Sequence, residues 1–233
     1  MWARRGQEVT RYLTRKPHEP EFAAFALFRS RRKMFLDVGA NMGQSAVSFR
    51  IFHPAPILSI EPNRFHEPDL RFLKRMLPRF AYAMLGAGDQ NREATLHVPF
   101  YKGLPLTGEA ALERDVAMEP WWVEMQTGSS DMDAVKIESV PIKVCRLDDL
   151  GLEPSFIKVD VEGSEAAVIR GLVQTITAHR PIILIECSTG EDDLYRLLQD
   201  LDYERYDYLP EEHRLELHTD GNQQNAFFIP AEA

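Results

Sequence analysis

With 233 residues the chain has room for one sizeable α/β domain, or for a small domain with an appendage, and its 44% apolar and 27% charged residues exclude a disordered or fibrous polypeptide. A net charge of −9 argues against a general nucleic-acid binder. That charge is uneven: residues 1–33 hold nine Arg or Lys against Glu8, Glu19 and Glu21, a net of +6, which leaves −15 on the other 200 residues.

In chain order, residues 1–33 read as a basic helical arm, with a second helix over Glu21–Phe28. Its charge suits either a solvated helical face or a contact with an acidic partner or membrane surface. A domain over residues 34–233 follows. Its strands and helices alternate: strand Phe35–Val38, helix Gly43–Phe52, strand Ile57–Ile60, helix Glu67–Leu77 and strand Ala81–Leu85. Gly86 to Asp89 reads as a turn, and Ala94–Phe100 as a hairpin strand. Periodicity then fails over residues 101–134, which contain Trp121, Trp122, Ser129 and Ser130; so long a connection suits a lid or acceptor loop. Order returns with strand Glu138–Arg146, strand Phe156–Val159, a helix through about Ile176, the apolar strand Pro181–Cys187 and a helix over Leu194–Leu201. Tyr203–Leu209 and Asn225–Ile229 close the chain as a strand pair.

This alternation predicts a mostly parallel sheet with helices on both faces, whose ligands sit at the carboxyl ends of the strands. There Asp37, Gly39, Asn41 and Gly43 form an Asp-x-Gly-x-Asn-x-Gly turn between a strand and a helix. Gly39 and Gly43 allow a sharp turn and close backbone approach, and Asn41 tolerates positive φ. Glu61 ends the next strand, 18 residues after Gly43, where a carboxylate can accept both hydroxyls of a ribose. A tight structural turn is the competing reading of the glycines alone. The departure from Gly-x-Gly-x-x-Gly favours S-adenosylmethionine over a nicotinamide cofactor. Asp37, Glu61, Asp89, Asp160 and Glu186 all fall at strand ends and are expected on one rim.

Together, Asp37 to Gly43, Glu61-Pro62-Asn63, Gly88-Asp89, Leu147-Asp148-Asp149, Lys158-Val-Asp160-Val-Glu162-Gly163-x-Glu165 and Pro181 to Glu186 resemble the FkbM family of S-adenosylmethionine-dependent methyltransferases. The resemblance runs from about Phe35 to Pro230. It implies a class I methyltransferase fold, a Rossmann-like sheet of seven mostly parallel strands in which Asn225–Ile229 is the antiparallel last strand, beside the fifth. It also implies that Gly39, Asn41 and Gly43 border the methionine part of the cofactor. Asp37 would hold its amino group, Glu61 its ribose hydroxyls and Asp89 its adenine amine.

Methyl transfer to an alcohol needs alignment and a group that takes the hydroxyl proton. Asp160, Glu162 and Glu186 are the candidate catalytic acids, because adjacent strand ends lie about 4.8 Å apart. Three roles compete for them: work on the hydroxyl, a divalent cation site, and capping of the helix after Gly163. The seven histidines show no ligand spacing, so no metal-binding residues are assigned and a divalent cation stays possible without being indicated. Trp121 and Trp122 can stack on a sugar ring or pack a lid. Cys145 and Cys187 lie in apolar runs and read as buried thiols. No apolar run approaches the roughly 20 residues that span a bilayer, so the expected compartment is the cytoplasm. The expected activity is O-methylation of a small molecule, sugar or glycan, with no nucleic-acid partner. A noncatalytic nucleotide-binding regulatory module and an NAD-dependent oxidoreductase are the alternatives.

Overall fold

A computed structural model describes residues 2–106, 110, 112, 124, 127–128, 131–161, 163–186, 192–218 and 225–231. Helix α1 (Trp2–Thr14) lies on α2 (Gln44–Phe52). Several cations of the basic arm are engaged by the fold: Arg5 pairs with Asp69 at 2.6 Å, and Arg15 and Arg31 donate to the carbonyls of Ile51 and Arg180 at 2.9 and 2.8 Å. The expected helix at 21–28 is a 3-10 helix over Pro20–Phe28. Phe22, Phe25 and Phe28 recur every third residue, a spacing that aligns on three residues per turn rather than on 3.6.

The principal sheet has eight strands, where seven were expected. They are β1 (Met34–Val38), β2 (Ile57–Ile60) and β3 (Phe80–Ala83), then β8 (Pro154–Val159), β9 (Ile182–Glu186), β10 (Tyr203–Leu209), β11 (Arg214–Leu217) and β12 (Asn225–Pro230). Their order is β11-β10-β12-β9-β8-β1-β2-β3. β12 runs antiparallel beside β9, as the resemblance implied, and β11 adds an edge by hairpin pairing with β10. The added strand, Arg-Leu-Glu-Leu, is mostly exposed, so no buried face marks it in the sequence.

A second, four-stranded sheet inserts between β3 and β8. It comprises β4 (Gly86–Gly88), β5 (Arg92–Tyr101), β6 (Leu104–Pro105) and β7 (Val135–Arg146), ordered β4-β7-β5-β6. Gly86 to Gly88 is therefore a strand, parallel to β7, and not the expected turn. A Cβ at Gly88 would lie 2.9 Å from Val144, which explains glycine where strand formers are usual. The single helix expected after Gly163 is two, α4 (Glu165–Arg170) and α5 (Val173–His179). Gly171 breaks it by packing against β4, since a Cβ there would stand 2.0 Å from the Gly88 carbonyl oxygen. Helices α3 (Glu67–Met76) and α6 (Asp192–Asp200) complete the layers.

Alternation along the strands sends Phe35 and Leu36 into separate cores. One core joins α2, α3 and the 3-10 segment. There the Phe25 ring lies 5.0–5.7 Å from those of Phe22, Phe35, Phe49, Phe156 and Phe227. The other core joins α4, α5 and α6. Every position of β8 is buried, as expected of a central parallel strand. Among the described residues no helix is long and apolar enough to cross a membrane, and Cys145 is a free, partly buried thiol. Cys187 lies outside the described residues.

Candidate functional site

The register of β1 on β8 pairs Val38 with Val159, so Gly39 leaves the sheet beside Asp160. Gly39 has φ +84°, and a Cβ there would fall 1.6 Å from the Asp160 carbonyl oxygen, so this turn requires glycine. Asn41 follows at φ +50°. Gly43 begins α2 at φ +89° and serves packing: its Cβ would lie 2.2 Å from Leu73 Cδ1 of α3, and it does not line the cavity described next.

Between the turn and the second sheet lies a cavity of about 780 Å³, its open mouth included. Gly39, Asn41, Glu61, His66, Asp160 and Ser164 form one wall, while Leu85, Gly86, Ala87, Leu96, Ile142 and Val144 form the other. Ala110 and Leu112, within the expected lid stretch, also line it; Trp121, Trp122, Ser129 and Ser130 lie outside the described residues.

Glu61 is 6% exposed and accepts the backbone N–H groups of Asn41 and Asn63, each at 2.7 Å. Burial pushes its carboxyl up to about 8 against these two bonds. Asp37 is sealed beneath the turn, where Ser59 Oγ donates to its Oδ2 at 2.7 Å. Burial raises its pKa, opposed by the Lys158 ammonium. Asp160 stands at the cavity wall with Lys158 Nζ donating to Oδ2 at 2.5 Å and a side-chain hydrogen bond to Glu186. Burial acts to raise its pKa, yet Lys158 and Glu186 prevail and hold it low. Strand ends of β8 and β9 thus bring two of the expected acids together. Glu165, at the first position of α4, braces the turn before the helix: its Oε1 accepts the N–H groups of Val161 and Gly163 at 3.1 and 3.2 Å. Among the described residues no three His, Cys, Asp or Glu side chains are grouped to hold a metal ion.

The family model described as the Methyltransferase FkbM domain matches residues 37–210. This chain belongs to the FkbM methyltransferase family. Among solved structures it is similar to a methyltransferase FkbM from Methylobacillus flagellatus KT, with 20% identity and a TM-score of 0.52 over 91% of this chain and 50% of that one. The chain therefore spans about half the length of that relative, and the likeness shows the fold alone. A precorrin-6y C5,15-methyltransferase from Geobacter metallireducens GS-15 aligns at 12% identity and a TM-score of 0.44, over 90% of this chain and 84% of that one. No curated protein matches.

Of the residues the FkbM resemblance singled out, Gly39, Asn41, Glu61 and Asp160 share the cavity, and Asp37 and Gly43 support its turn from behind. Asp89 follows β4, whose Gly86 and Ala87 line the cavity, but is itself exposed, 4.0 Å from Arg170 Nε, and is not among the lining residues. Glu162 lies outside the described residues. His66, whose place after the Glu61 turn lets it reach the rim although an exposed structural histidine is the commoner reading, is buried and lines the cavity. Sequence reasoning assigned no role to Lys158 or Ser164, and of these Lys158 carried a signal: a charged residue inside the largely apolar run of β8.

Proposed function

We propose that this FkbM methyltransferase uses S-adenosylmethionine to methylate a hydroxyl oxygen of a small molecule, a sugar or a glycan. The observation that carries the reading is the shared cavity: the Gly39 turn and Glu61 face the same space as Asp160. The residues fit the cofactor. Glu61 accepts one N–H on each oxygen and so retains a lone pair on each for a ribose diol, and the buried Oδ1 of Asn41 has no protein partner. Gly39 and Asn41 would border the methionine part, and the Leu85-Gly86-Ala87 wall would face the adenine. Asp37 serves by holding the turn through Ser59 rather than by reaching into the cavity.

When bound, the cofactor supplies an electrophilic methyl group on a sulfonium. The chain aligns the acceptor, excludes water and takes up a proton. As the oxygen–methyl bond forms, the hydroxyl proton passes to the ionised carboxylate of Asp160, with Glu186 hydrogen-bonded beside it. Calorimetry with S-adenosylhomocysteine and with NAD tests the cofactor; tight binding of NAD alone sinks the reading. The acceptor is found by screening hydroxylated metabolites and saccharides with a labelled methyl donor, with and without chelator. Asp160→Asn is expected to keep affinity for S-adenosylhomocysteine and to lose methyl transfer, and undiminished turnover would show that Asp160 only supports the fold.

A further inference from the structure

A lysine closed off from water loses the hydration of its ammonium, a cost met only by well-placed counter-charges. Lys158 is 1% exposed in the middle of β8. Three carboxylates from three elements oppose that cost. Asp160, two residues on, accepts from Nζ at 2.5 Å. Asp37, fully buried in β1, is the cross-strand partner of Lys158 in the sheet register. Glu19, in the segment joining α1 to the 3-10 helix, adds a third negative charge whose field acts on it. Burial works against the charge of Lys158, but these carboxylates together raise its pKa, so the ammonium stays charged.

The surrounding groups come from every packed element. Asp37 is fixed by Ser59 of β2. Asp160 is bonded to Glu186 at the end of β9. Glu19 lies 3.4 Å from His18 Nε2, and His18 Nδ1 meets Ser48 Oγ of α2 at 2.8 Å. Of the three carboxylates around Lys158, only Asp160 lines the cavity, so the influence of the ammonium is delivered there.

We propose that Lys158 is a positioning residue for methyl transfer: its sealed ammonium holds the Asp160 carboxylate in place and ionised at the cavity wall, and Glu19 of the N-terminal segment completes its carboxylate shell. This rests on the reading of Asp160 as the group that meets the acceptor hydroxyl. It makes residues 18–19 part of the site's electrostatics rather than of an appendage.

The test follows the Asp160 carboxyl directly, by carbon NMR of the full chain labelled at aspartate, with its resonance assigned by its loss in Asp160→Asn. Removing an opposite charge raises a carboxyl pKa, and removing a like charge lowers it. Lys158→Met should therefore shift the Asp160 titration upward by about one unit or more, a tenfold change in its protonated-to-ionised ratio, and raise the acid limb of the kcat/KM profile with it. Glu19→Gln should move both the opposite way. If Lys158→Met fails to fold, the sign of the Glu19→Gln shift decides alone, because Glu19 is partly exposed and its loss leaves Lys158 two partners. An Asp160 titration unmoved in the folded variants, or moved upward by Glu19→Gln, overturns the proposal whatever the turnover. Full turnover in Asp160→Asn would instead refute the role of Asp160 in proton transfer while the titrations still establish the coupling.

Discussion

Glu61 permits a prediction whose size follows from its burial. With its carboxyl raised from 4.5 to about 8, Glu61 is protonated in the ligand-free protein through the neutral range. Accepting both ribose hydroxyls requires the ionised form, so binding must expel that proton. At about pH 6 roughly 1% of the group is ionised, and affinity for S-adenosylhomocysteine should be about 100-fold below its plateau above pH 8, or about 2.7 kcal/mol. The slope between these limits is tenfold per pH unit. Titration calorimetry in buffers of different ionisation enthalpy should count close to one proton released by Glu61 near pH 6. In Glu61→Gln the Glu61 component of both slope and proton release should vanish, with weaker binding at every pH. The sign extends to stability. A carboxyl whose folded pKa is raised contributes stability that is complete below 4.5 and lost as pH climbs through about 8, so the ligand-free fold should weaken over that window and the Gln variant should not. A dissociation constant flat from about pH 6 to 8, or one with the same slope in Glu61→Gln, would refute the reasoning.

Two further substitutions probe the frame around the site. Gly39→Ala places a Cβ 1.6 Å from the Asp160 carbonyl at a φ of +84°, and should cost at least about 3 kcal/mol in urea denaturation together with binding of S-adenosylhomocysteine; an unchanged midpoint would show that the turn can relax. Phe25→Ala removes a fully buried ring that touches five others and should cost about 3–5 kcal/mol, whereas a loss under about 1 kcal/mol would mean that the 3-10 segment is not integral to the core.

The parallel strands were legible because each is an apolar run bounded by glycine, proline or an acid, and β1, β2, β8 and β9 fall where those runs predict. The turn from Asp37 to Gly43 was legible for a related reason: few residues other than glycine and asparagine accept the φ values of 39, 41 and 43. Glycine conceals as well as reveals. β4 is Gly-Ala-Gly, a composition that signals a turn, and only the proximity of Val144 and of Gly171 shows why a strand needs it. β11 lacks a buried face, and α4 and α5 divide where a distant carbonyl approaches, a contact no local pattern records. Lys158 stood in plain view, but its meaning depends on Asp37 and Glu19, 121 and 139 positions earlier in the chain.

The cavity has two walls of separate origin. The wall bearing Gly39, Asn41, Glu61 and Asp160 is written in residues 38–66 and 160–164, on the principal sheet. The opposite wall is almost wholly one continuous insertion, which leaves at Leu85 and returns at Leu147–Leu150. Its return is fastened at one residue: the Asp148 N–H donates to the Gly171 carbonyl at 2.9 Å, and its carboxylate accepts the N–H groups of Gln174 and Thr175 at 3.1 and 2.8 Å. Mutation can therefore reshape Leu96, Ile142 or Val144, and with them the outline of what enters, while the turn that would carry the methyl donor stays as it is. Inheritance can revise the two halves of such a site at different rates.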